Sequence, residues 1–169
     1  FEDATFTGKG SIKLNGAGLA HADLSGSKLT ADAGWGDSLI DFTKADLTNA
    51  DLSGAELTAL TIGNYGTSTI DFTEATLANA DLSGSKLTAD GGWGDSLIDF
   101  TKADLTDADL SGAELTALTI GPYGTSTIDF TEATLDQADL SGTTLTAENV
   151  TGLPPTPPAQ PPSPPMHPP

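Results

Sequence analysis

The residues best able to do chemistry in this chain are its carboxylates, because 24 Asp and Glu stand against 6 Lys and Arg in 169 residues. Two carboxylates become a catalytic acid and base only with a fixed separation, one raised pKa and a cleft that excludes water. Here the acids recur in one short setting: Asp23, Asp51, Asp81, Asp109 and Asp139 each lie in "ADLSG" or "ADLSGT"-like text. That reads as a solvated acidic ladder rather than an asymmetric site. Serine and threonine are abundant, but a nucleophile needs a base within hydrogen-bond reach. His21 is the single histidine before the Pro-rich end, His167 lies within that end, and there is no cysteine. No triad and no histidine–thiolate metal set can be assembled, so no catalytic, cofactor or metal residue is assigned.

Trp35, Tyr65, Trp93 and Tyr123 lie in glycine-rich interruptions such as "GWGD" and "GPYG". An exposed ring there would stack on a sugar or on a neighbouring molecule, whereas a ring folded over an edge would be structural. These four are the candidate interaction residues. "GGWGD" at residues 91–95 has the composition of a calcium loop but lacks the spacing and the nine-residue recurrence, which favours a tight glycine corner. "TST" at Thr67 and Thr125 is expected once per three coils, too sparse for a flat ice-binding array. Asn149, in "NVT", is a candidate N-glycosylation acceptor.

The elements that position these residues follow from an internal repeat. Residues 22–79 align with 80–137 without a gap and differ at five positions, Ala33/Gly91, Asn49/Asp107, Asn64/Pro122, Ala78/Asp136 and Asn79/Gln137. Each 58-residue unit splits into similar halves, and within each half an apolar residue returns every five: Phe42, Leu47, Leu52, Leu57, Ile62, then Phe72, Leu77, Leu82, Leu87. A period of five fits neither a helix nor a flat strand. It fits a strand that keeps bending, with Ala50 and Leu52 on one face and a corner before Ala55. Gly26, Gly54, Gly84, Gly112 and Gly142, with Asn49 and Asp107, fill corner positions that accept turn geometry.

The recurring "ADLSG", "ADLTN" and "ADLTD" resemble the A(D/N)LXX repeats of the pentapeptide-repeat family over roughly residues 12–152. The resemblance implies an all-β, right-handed quadrilateral β-helix with four five-residue faces per coil. On that reading 58 residues make three coils, and the solenoid has about seven coils and a height of roughly 34 Å. The same register sets Lys28 beside Asp46, Lys86 beside Asp104, and Asp23 beside Asp41. Residues 1–11 form an N-terminal edge segment, 12–152 the solenoid, and 153–169 a Pro-rich tail with the composition of a polyproline II stalk.

A net charge of −18 opposes direct binding to nucleic acid or an anionic membrane, and no apolar run is long enough to span a bilayer. The chain starts at Phe1 without Met, which suggests a processed or excerpted product. Tandem copies that match at 53 of 58 positions present one surface twice, as a scaffold does. The expectation is a non-enzymatic extracellular or cell-surface rod or filament subunit that self-associates and carries glycans. The resemblance also implies an alternative, a DNA mimic that binds a type II topoisomerase. A carbohydrate- or ice-binding surface is a more distant one.

Overall fold

The computed structural model describes residues 1–63 and 65–154. The polyproline II expectation for the tail therefore falls almost wholly outside the described residues. Twelve short strands form two parallel six-stranded sheets, and no helix occurs among the described residues. One sheet stacks β1 (Thr5–Lys9), β3 (Lys28–Gly34), β5 (Glu56–Thr61), β7 (Lys86–Asp90), β9 (Glu114–Leu118) and β11 (Thr144–Thr146). The other stacks β2 (Ser11–Lys13), β4 (Ser38–Asp41), β6 (Ser68–Asp71), β8 (Ser96–Asp99), β10 (Ser126–Asp129) and β12 (Asn149–Thr151). Six stacked strands per sheet make a solenoid of about five turns, roughly 24 Å from first strand to last at ~4.8 Å per coil.

One coil shows why the sequence bends where it does. From β4, Ile40 and Phe42 point inward, and Ala45 N–H then donates to Phe42 C=O at 2.9 Å to close a tight corner. Two more corners follow, Ala50 to Leu47 at 2.9 Å and Ala55 to Leu52 at 3.0 Å. The third residue of each turn, Lys44, Asn49 and Gly54, has φ of 58°, 55° and 62°. This is the left-handed region, which costs a side-chain-bearing residue about 1–2 kcal/mol and glycine nothing. The chain then runs straight through Ala55, Leu57 and Ala59 before a glycine-rich loop, residues 62–67, returns it to the next coil. The coil has four sides, as expected, with three tight corners and one loop corner.

The sides are unequal, and this corrects the coil count. Leu29 pairs with Leu57, Leu57 with Leu87, Leu87 with Leu115, and Leu115 with Leu145. Coils therefore take 28, 30, 28 and 30 residues rather than 20, and each 58-residue unit makes two coils rather than three. About five turns replace the expected seven. The glycine–aromatic stretches are the loop corners of four successive coils, not shortened faces, and the alternation in coil length arises there. Ala31 to Ser38 is seven residues and Ala59 to Ser68 is nine.

The neighbours expected across coils change accordingly. Lys28 faces Glu56, not Asp46, with Nζ–Oε2 at 2.9 Å, and Lys86 faces Glu114, not Asp104, at 3.8 Å. Asp23 lies beside Asp51, not Asp41. Ile62, placed in the apolar series by the five-residue period, and its counterpart 58 residues on, Ile120, are 69% and 78% exposed. In β5 the inward positions are Leu57, Ala59 and Thr61, so Ile62 already belongs to the loop.

Inside, identical residues stack on themselves. Phe42, Phe72, Phe100 and Phe130 form a fully buried column with centroids 4.9, 4.9 and 5.0 Å apart and planes within 2°. Leucine and isoleucine columns such as Leu47, Leu77, Leu105 and Ile40, Ile70, Ile98 fill the remaining sides, with alanines near the corners.

Candidate interaction surface

The loop corner is built by close backbone packing. A Cβ on Gly66 would strike Gly36 C=O, one on Gly94 would strike Gly66 C=O, and one on Gly124 would strike Gly94 C=O. Glycine at these positions lets each loop sit directly on the one before it. Beneath the glycines a column of buried serines fixes the entry to the next strand. Ser68 Oγ donates to Asp90 C=O at 2.7 Å, Ser96 Oγ donates to Leu118 C=O, and Gly91 N–H donates to Ser96 Oγ at 2.8 Å. On the outer rim, Asp37 Oδ1 accepts from Thr67 N–H at 2.8 Å, and Asp95 Oδ1 accepts from Thr125 N–H at 2.8 Å. Both "TST" threonines are thus loop braces, and they recur once per two coils.

This framework brings the four candidate aromatics together. Trp35, Tyr65, Trp93 and Tyr123 each immediately precede one of the stacked glycines Gly36, Gly66, Gly94 and Gly124 in successive coils. They are 83%, 81%, 46% and 78% exposed. All four rings are open to solvent, Trp93 least so. Ile62 and Ile120 extend the apolar surface beside them. Trp35 and Tyr65 flank a shallow cleft floored by Gly36 and Gly66, with Asp37 at its rim. The sequence signal that could have located Ile62 and Ile120 is their place immediately before the Gly–aromatic text.

The other faces carry charge in columns. Asp23, Asp51, Asp81, Asp109 and Asp139 stack coil on coil, as do Asp41, Asp71, Asp99 and Asp129. These acids have a second role that the sequence reading missed, since each braces its own corner. Asp51 Oδ1 accepts from Ser53 N–H at 2.9 Å, Asp81 from Ser83 at 2.8 Å and Asp109 from Ser111 at 2.8 Å. The short side chain of Asp reaches the backbone two residues on, which is why this turn selects it.

Such bonds favour the ionised form. The carboxyl of Asp23 is held below the usual range by the Ser25 hydroxyl and then its N–H. Asp46 is lowered by hydrogen bonds from Thr48, and Asp139 by the backbone N–H and then the hydroxyl of Ser141. At Asp129 partial burial raises the pKa, and bonds from Thr131 and Thr151 outweigh it, leaving it lowered.

Cations and anions alternate on two further columns. Lys28, Glu56, Lys86 and Glu114 are successive neighbours on one sheet, and Lys44–Glu74 at 3.5 Å and Lys102–Glu132 at 3.9 Å pair at one corner. Thr30, Thr58, Thr88, Thr116 and Thr146 also stack in register, beside the Lys–Glu column rather than on a uniform flat face. Among the described residues no group of three or more His, Asp or Glu could hold a metal ion. His21 is an exposed corner residue with φ of 59°. His167 lies outside the described residues. Asn149 is exposed at the start of β12, the last strand of its sheet. No helix of the described residues is long and apolar enough to cross a membrane.

A stacked, parallel, four-sided coil with left-handed corners every five residues defines a repeat-built β-solenoid that displays its side chains in columns. The family model for pentapeptide repeats matches residues 38–59 and 96–117 with eight copies. Over those residues the chain is similar to the pentapeptide-repeat family. No curated protein matches the chain. Among solved structures it is similar to Rfr23, a pentapeptide repeat protein from the cyanobacterium Cyanothece 51142, at 19% identity over 88% of this chain and 87% of that one, with a TM-score of 0.42. A pentapeptide repeat protein of the Arabidopsis thaliana thylakoid lumen matches at 25% identity over 75% and 67%, with a TM-score of 0.30. Full-length QnrB1, a plasmid-mediated fluoroquinolone resistance protein, matches at 16% identity over 83% and 88%, with a TM-score of 0.20.

Proposed function

We propose that the chain is a non-enzymatic scaffold, an extracellular or cell-surface rod that assembles with copies of itself and presents a repetitive acidic surface. The observation that carries this reading is the two-coil periodicity of the exterior. Each acidic and Lys–Glu column, and each loop aromatic, offers the same group again after 58 residues, whereas catalysis calls for one asymmetric constellation. The candidate acceptor Asn149 and the Pro-rich segment support a glycosylated extracellular setting, with glycans as further partners.

The test is particle size across ionic strength. Light scattering and electron microscopy of the purified chain should show rods that associate more strongly as salt or divalent cation screens the charge of −18. Particles that stay monomeric under all conditions would refute the assembly reading. The acidic columns favour one other reading, a mimic of the DNA backbone that binds a type II topoisomerase. Inhibition of gyrase supercoiling by the purified rod would establish that alternative.

A further inference from the structure

Trp35 and Tyr65 line one cleft with Gly36, Asp37 and Gly66, and its polar groups indicate the ligand that suits it. Asp37 Oδ1 accepts the N–H and the hydroxyl of Thr67 at 2.8 and 3.1 Å, so both local donors are spent on one oxygen. The other oxygen accepts from no described residue, and Asp37 belongs to none of the ion pairs among the described residues. Two exposed rings beside a half-used carboxylate form the complement of an organic cation, which the ring faces and the anion both attract.

The same set recurs in the second repeat. Asp95 Oδ1 accepts the N–H and the hydroxyl of Thr125 at 2.8 and 3.0 Å, Gly124 packs on Gly94, and Trp93 and Tyr123 replace Trp35 and Tyr65. Here the residue before the tyrosine is Pro122, which has no hydrogen to give to the second oxygen of Asp95. Residues 33–37, 62–67, 91–95 and 120–125 contain no lysine, so these loops supply no cation of their own.

We propose that the two loop-corner sites bind arginine side chains of a basic partner polypeptide, each guanidinium stacking on the rings and pairing with Asp37 or Asp95. Arginine fits because guanidinium is planar and weakly hydrated, whereas the ammonium of lysine holds its water at so open a site. The chain has no arginine, so the partner is a different molecule and not a second copy. Asp37 and Asp95 stand two coils apart, roughly 10 Å at ~4.8 Å per coil, so one partner can place an arginine in each. The acidic columns on the other faces steer a basic partner to the rod. The proposal goes beyond the scaffold reading and does not rest on self-assembly, since a strictly monomeric rod keeps both sites.

Trp35 and Trp93 are the two tryptophans of the chain, so intrinsic fluorescence reports on these sites alone. Acetyl-Arg-Gly-Gly-Arg-amide, whose arginines lie about 10 Å apart when extended, is titrated into the full chain at physiological salt. A saturable emission change at or below millimolar peptide is expected, and acetylarginine amide should need a concentration roughly tenfold higher. Tyr65→Ser with Tyr123→Ser removes one ring per site and should weaken the peptide roughly tenfold. This variant retains every charge and both indoles, so attraction to the acidic columns in general would leave its titration unchanged and overturn the proposal. Asp95→Asn retains an oxygen for Thr125 and should also weaken binding severalfold. The matched citrulline peptide, neutral and of the same shape, should produce no change. An equal response to citrulline, no emission change at ten times the expected concentration, or a response to cellohexaose and not to the arginine peptide would each overturn the assignment.

Discussion

Ser85→Ala should make this protein more stable. The Ser85 hydroxyl is fully buried and has no hydrogen-bond partner, and the same holds for Ser27. The equivalent residue in the alternate coils is Ala55 or Ala113, whose N–H closes the same corner onto Leu52 or Leu110 at 3.0 Å. The alternate coils therefore show that the site accepts a methyl side chain with its backbone unchanged. An unpaired buried hydroxyl costs about 1–3 kcal/mol, while the void left by one oxygen is smaller than a methyl group and costs under about 1 kcal/mol. The net expectation is a gain of about 1 kcal/mol, or ~2–4 °C in Tm for a domain of this size. Ser27 and Ser85 are two coils, ~10 Å, apart, so the double substitution should add to about 2 kcal/mol. The reverse change, Ala113→Ser, should lose what Ser85→Ala gains. Urea unfolding and scanning calorimetry on the three variants decide the matter. A fall in Tm for Ser85→Ala, or no change for Ala113→Ser, would refute the claim that this hydroxyl goes unpaired.

Three further outcomes follow from the columns. Phe72→Ala removes a ring stacked on both sides, and should cost about 3–5 kcal/mol by denaturant unfolding. Phe130→Ala, with a ring on one side only, should cost less. Gly94→Ala places a methyl against Gly66 C=O, a backbone atom that cannot swing aside, and should destabilise by about 1–3 kcal/mol with loss of the loop stack in amide exchange. Acid should weaken the fold: the pKa values of Asp23, Asp46, Asp129 and Asp139 are lowered on folding, so their contribution is complete above the unfolded carboxyl value near pH ~4. It is lost as pH falls through the lower folded values, and thermal melts across pH 2–6 should show it.

The solenoid was legible in the sequence because the inward and corner positions are written in residue types with one physical use. Leu52 and Ala50 belong inside, while Gly54 and Asn49 suit a left-handed turn, and the structure places them so. Coil length was not legible from that pattern, because a five-residue period is the same whether a coil closes after 20 residues or 28. The information was in the wider spacing, since Trp35, Tyr65, Trp93 and Tyr123 recur at 30, 28 and 30 residues, one loop per coil. Lys28 illustrates the consequence, since any acid one coil away satisfies a sequence argument, and only the true coil length selects Glu56. The exposure of the four rings was undecidable in advance because glycine flanks suit a buried corner and an open one equally.

The alternation of Lys and Glu from coil to coil bears on how such a protein changes length. Loss or gain of a single coil of 28 or 30 residues would bring lysine onto lysine or glutamate onto glutamate in two columns at once, at Lys28 with Lys86 and at Lys44 with Lys102. A gain or loss of 58 residues restores every neighbour, and the near-identity of residues 22–79 and 80–137 is the record of such a step. Unequal recombination within the gene should therefore yield viable rods in increments of two coils, about 9.6 Å, making the molecule a ruler with a fixed graduation.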